Sequence, residues 1–132
     1  MKFCRTLPLL ALYFCLCFTG LFAAPQPTNI PGTAKGILGE MRKQKQQLDG
    51  AVTKKQTDQV QACATALKDL ANALPSHAAS AARDRVTTVS KRLGKYVDHL
   101  TEAVQENDPP GIATYTAGLQ KQLDALQAEF PQ

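Results

Sequence analysis

Outside the first 24 residues, the donor atoms for soft-metal, haem or thiol chemistry belong to Met41, Cys63, His77 and His99. Cys63 lies in VQACATAL, residues 60–67, one helical step from Val60 and one from Leu67. A thiol there can ligate a metal, bridge to another chain, or fill a core. Its neighbours Ala62 and Ala64 are small, and no histidine or second thiol lies in the same helix. A soft metal site needs two or more such ligands converging, whereas free cysteine on an apolar stripe behaves as a small hydrophobe. The expected role is a buried core thiol, with a bridge between chains and a metal ligand as the alternatives. An internal disulfide is ruled out for a lone cysteine.

The parts of an enzyme are missing from the pattern. There is no Gly-rich phosphate loop and no histidine in a motif with a serine or cysteine nucleophile. Asp49, Asp58, Asp69, Asp98 and Asp124 fall on the outer faces of their helices instead of pairing one turn apart along a stripe, as di-metal bundles require. The expectation is a protein without catalysis, cofactor or metal.

The elements that position these residues begin with a segment of a different kind. MKFCRTLPLLALYFCLCFTGLFAA has Lys2 and Arg5, then an apolar run from Leu7 to Phe18, then small residues, which is the pattern of a secretory signal peptide. Cleavage after Ala23, with Leu21 and Ala23 in the recognition positions, leaves a chain starting at Ala24 and removes Cys4, Cys15 and Cys17. The alternative is an uncleaved anchor, for which the run falls short of the ~20 residues that span hydrocarbon. After cleavage no transmembrane span is expected. The formal charge of +4 drops by two, because Lys2 and Arg5 leave without any acid. Nothing in that balance calls for nucleic acid.

Residues 24–32 form a Pro-rich tether, and residues 33–132 settle into one helical rhythm. The first helix spans about Thr33 to Val52 on Ala34, Ile37, Leu38, Met41, Leu48 and Val52, with Lys45 interrupting the stripe. The second, Thr57 to Leu74, carries Val60, Cys63, Leu67, Leu70 and Leu74, and Pro75 ends it. The third starts at Ser76 or Ser80, runs to about Asn107, and repeats the pattern in Val86, Val89, Leu93, Tyr96, Leu100 and Ala103. After NDPPG the fourth runs from Pro110 to Phe130 with Ile112, Tyr115, Leu119, Leu123, Leu126 and Phe130. One apolar stripe per helix means that none is stable alone. The expected fold is all-α, an up-down-up-down antiparallel four-helix bundle. A three-helix bundle with a loose, glycine-weakened first helix is the rival.

A bundle of this size, with Met41 early in its first helix, is similar in topology to the periplasmic haem b four-helix bundle cytochromes. Those hold iron between that methionine and a histidine near the end of the last helix. Here the last helix, GIATYTAGLQKQLDALQAEF, has no histidine. VQACATALKDLANALP more closely resembles the second helix of a group of small exported helical-bundle proteins of proteobacteria, which reads V-H-x-x-A and then D-x-A-x-A-L-P, in chains closing on a short aromatic-Pro end like AEFPQ. Val60, Ala64, Asp69, Ala71, Ala73, Leu74 and Pro75 match, and Gln61 stands where the group often has histidine. The resemblance implies an exported bundle of the envelope, periplasmic or secreted. In that group it also implies a link to metal handling outside the inner membrane.

One charge pattern opposes its own helix. RDRVTTVSKRLGKY holds Arg83, Arg85, Lys91, Arg92 and Lys95 against Asp84, while the same helix ends in Asp98, Glu102 and Glu106. A helix dipole favours the reverse order. Arg85, Arg92 and His99 recur every seven residues, and Lys95 is one turn from both Arg92 and His99. These four define the candidate surface for an acidic protein partner or an anionic envelope surface. The functional expectation is a small exported, non-catalytic binding or accessory protein of the cell envelope, with a periplasmic metal- or haem-binding bundle as the alternative.

Overall fold

The computed structural model describes residues 29–131. The expected signal peptide and the first residues of the tether lie outside them. The described chain is all α-helical: α1 (Ala34–Thr53), α2 (Thr57–Ala73), α3 (Arg83–Gln105) and α4 (Pro109–Ala128), with a short 3₁₀ turn, Leu74–His77, after α2. No helix among the described residues is long and apolar enough to cross a membrane.

Local chemistry sets the boundaries. Thr33 is extended, and its hydroxyl accepts a hydrogen bond from the Gly36 amide at 3.1 Å, capping α1. Pro31 folds over that first turn, 2.7 Å from where a Cβ on residue 36 would sit, so the position suits glycine alone. Helix α1 ends with Lys55 in the left-handed region at φ 55°, and the Gln56 amide reaches back to the Ala51 carbonyl at 2.9 Å. The corner after α3 repeats the device. Asn107 has φ 53°, and the Asp108 amide donates to the Ala103 carbonyl at 2.9 Å. Pro109 and Pro110 then open α4, where their missing N–H groups leave no intrahelical bond unmade.

Helix α3 starts at Arg83, later than Ser76 or Ser80. Pro75 shapes this stretch by tightening the end of α2 into the 3₁₀ turn, and the chain then goes extended at Ala78 (ψ 145°) before α3 can begin.

The core is drawn from all four helices. Ile37, Met41 and Leu48 of α1, Val60, Leu67 and Leu70 of α2, Val86, Leu93 and Leu100 of α3, and Leu119 and Leu126 of α4 are fully buried. Helix α1 is therefore part of the core, not a loose appendage. Lys45, which interrupts its stripe, keeps only 15% of its side chain exposed and places Nζ 2.6 Å from Asp49 Oδ2 one turn on.

Helices α3 and α4 run against each other in a constant register. Arg85 meets Glu129, the Tyr96 ring covers Gly118, His99 stacks on Tyr115, and Ala103 neighbours Gly111. Each step along α3 is matched by an equal step back along α4. Two grooves flank the bundle. One, of about 400 Å³, lies between α2 and α3 and includes Gln61, Lys68, Asp98 and Glu102. The other, of about 240 Å³, lies between α1 and α4 and includes Arg42, Lys45, Asp49, Gln120 and Asp124.

Ser90 is the buried polar group without a partner: it is 4% exposed and its Oγ has no hydrogen-bond partner among the described residues. A buried hydroxyl without a partner costs about 1–3 kcal/mol in desolvation. Ser90→Ala removes that penalty, fills nearly the same space and improves helix propensity. We expect it to raise stability by about 1 kcal/mol. Urea denaturation checks this, and a fall in the midpoint would show that Ser90 makes a bond the packing conceals.

Candidate functional site: the cationic face of α3 and α4

The four surface residues singled out above do not share one fate. Arg85 is engaged. Its Nε donates to Glu129 Oε1 at 3.0 Å and its Nη2 to Oε2 at 2.9 Å, while Nη1 donates to the Ala81 carbonyl at 3.3 Å. This two-pronged fork is the strong form of the arginine–carboxylate pair. It also answers the dipole conflict at this end, since Arg85 sits in the first turn of α3 and Glu129 just past the last turn of α4. Each charge is misplaced on its own helix, and antiparallel packing lets the two neutralise each other.

The hydrogen bonds from Arg85 hold the Glu129 carboxyl below its usual range, and Glu129 in turn raises the Arg85 guanidinium. A depressed acid contributes stability above its unfolded value and loses it as the pH falls through the folded one. The melting-temperature gap between the parent and Glu129→Gln is therefore present at neutral pH and closes on acidification below the ordinary carboxylate range. A gap that persists at low pH would assign the effect to packing. The Arg85 side chain is well exposed and the Glu129 side chain partly so, which leaves the pair screened and the gap small.

His99 is exposed, stacks on Tyr115 with ring centroids 5.2 Å apart, and places Nδ1 3.7 Å from Glu102 Oε2. Arg92 and Lys95 are exposed and have no ion pair among the described residues. Lys91 on α3 and Lys121 on α4 share that condition. Register puts Lys121 near the height of Arg92, because α4 folds back along α3 about Asn107. The acids closest along the chain are turned away. Asp98 binds Lys68 at 2.7 Å in the α2–α3 groove, and Asp124 accepts from Gln120 at 2.9 Å at the α1–α4 groove. Arg92, Lys95 and Lys121 are thus left without ion pairs among the described residues, as is the exposed Asp84 in the first turn of α3.

Sequence reasoning missed Lys121 and Glu129, which lie on a different helix from the stripe. The readable signal was the corner at 107–110, which fixes how the last helix folds back.

The metal-type donors are scattered. Met41 is fully buried in α1, His77 is exposed in the 3₁₀ turn, and Cys63 is buried at 4% exposure. Burial pushes the Cys63 thiol pKa up, which keeps it protonated and unreactive at neutral pH. Among the described residues, no group of three or more His, Cys, Asp or Glu side chains is arranged to hold a metal ion. Asp58, Asp69, Asp98 and Asp124 are exposed, whereas Asp49 is half-buried beside Lys45.

Comparison with protein-family models, curated proteins and solved structures returns no match. The functional reading therefore rests on the residues and their geometry.

Proposed function

We propose that this is a small exported helical-bundle protein of the cell envelope that acts by binding an anionic partner, without catalysis or a bound cofactor. Its four helices run up, down, up, down. The register of α3 against α4 and the tight corners at Lys55 and Asn107 support that topology. The basic, then apolar, then small-residue pattern of residues 1–23 supports export, with a mature chain starting at Ala24.

One observation carries the binding role: Arg92 and Lys95 of α3 and Lys121 of α4, at similar heights in the register, are exposed and have no ion pair among the described residues, while Asp98 and Asp124 bond at the flanking grooves. Exposed cations repel one another, and a stable fold gains nothing from grouping them. An anionic partner does.

The test is retention of the mature protein on a soluble polyanion coupled to resin, across a salt gradient. Charges screened over about 10 Å at 0.1 M predict elution at moderate salt and earlier elution for Arg92→Glu. Passage straight through the resin at low salt would defeat the proposal.

A further inference from the structure

We infer that the first half of α4, residues 109–118, is a flap that opens and closes on α3 while the rest of the bundle stays packed, latched by the stack of Tyr115 on His99. Lys121 belongs to the half of α4 that stays in place, so the flap and the anion-binding reading stand or fall separately.

Burial divides α4 in two. Its buried side chains, Leu119, Gln122, Leu123 and Leu126, all lie in the second half. None of the ten residues from 109 to 118 is buried: Ile112 and Tyr115 are half-buried, and Ala113, Thr114 and Ala117 are exposed. The longest run without a buried residue in any other of the four helices is six, residues 42–47 of α1. A segment with few buried apolar contacts opens at a smaller free-energy cost than the whole domain.

Local chemistry adds to the difference. Gly111, Thr114, Thr116 and Gly118 are weak helix formers, and Pro109 and Pro110 bring no N–H to the first turn. No charged residue occurs from 109 to 120, so the flap has no side chain with which to form an ion pair. The second half of α4 is anchored by three leucines in the core and, just past its end, by the Glu129 carboxylate on Arg85. The halves join at Gly118, a residue with the backbone freedom a hinge uses.

What holds the flap down belongs to α3. His99 and Tyr115 stack with ring centroids 5.2 Å apart and planes inclined by 25°, and Ala103 neighbours Gly111. His99 is itself exposed, so the latch lies at the surface and parts without disturbing the core. Opening bares Ala103, which is buried when the flap is closed, and one side of the Tyr96 ring.

The experiment is native-state amide hydrogen exchange of the mature protein, resolved along α4 by nuclear magnetic resonance. Protection of residues 113–118 at least about tenfold below that of residues 119–126 is expected, because only the second half must wait for the bundle to unfold. An aromatic stack changes an opening equilibrium by about two- to tenfold, so His99→Ala lowers protection of 113–118 by that factor and leaves 119–126 unchanged. Thr114→Ala, at an exposed site, improves helix propensity and raises protection of the same residues about two- to threefold. Far-ultraviolet circular dichroism of each variant confirms that the bundle is folded. Equal protection along α4 in the parent would overturn the flap. A His99→Ala effect shared by both halves, or absent from both, would overturn the latch.

Discussion

Cys63→Asp destabilises the bundle by about 3–5 kcal/mol, enough to unfold most of a marginally stable domain of this size. The side chain at 63 is 4% exposed, within a buried stripe of Val60, Leu67 and Leu70. A carboxylate there has no cation to pair with and loses its hydration. It either remains charged at that energetic cost or takes up a proton, in which case stability recovers as the pH falls. Cys63→Ala leaves a cavity the size of one sulfur atom and costs about 1 kcal/mol. In the parent protein the thiol reacts with a thiol reagent only after denaturant is added. Rapid labelling of the native protein, or a covalent dimer that disappears on reduction, would contradict the buried assignment and restore the bridge between chains.

Gly118→Val has the second largest effect, about 3 kcal/mol of destabilisation. A Cβ at 118 would enter the Tyr96 ring, whose Cζ would be 2.8 Å away. Relief requires the ring to swing out or α4 to move off α3, and overpacking of this kind typically costs 1–3 kcal/mol. Valine's two γ-methyls put it at the upper end. Tyr96→Ala in the same chain opens the space, so the double variant should be more stable than additivity of the two single changes allows. Simple additivity would show that ring and glycine do not meet.

The sequence made the helices and much of the core legible because an apolar stripe at helical spacing has one physical use. All five residues of the second stripe, from Val60 in α2 to Leu74 at the start of the 3₁₀ turn, are buried. Helix α3 was read less well. Val89 and Tyr96 are half-buried, while Ser90 and Val97 take fully buried places. This helix is gripped by α2 on one side and α4 on the other, so its covered face is wider than a two-residue stripe and admits a serine. Gln122 of α4 is buried for a similar reason, and no hydrophobic pattern reveals a polar residue inside.

The surface was legible in kind but not in membership. The charge run identified Arg92 and Lys95, yet it could not show that Arg85 has a partner 44 residues away. Nor could it show that Lys121 comes to the height of Arg92. Both depend on how α4 folds back, which is a property of the corner and not of either helix. Rules for a single helix reveal a conflict between charge and dipole, but the partner that resolves it belongs to another element.

The face of α3 and α4 is a recognition surface if its charges serve a partner and not the fold. The direct measurement is the melting temperature and the polyanion affinity of Arg92→Glu with Lys95→Glu, determined side by side at low salt. A binding surface predicts loss of affinity with the melting temperature unchanged or slightly raised, since neither cation has an ion pair to lose among the described residues. A melting temperature several degrees lower, or an affinity equal to that of the parent, would contradict it.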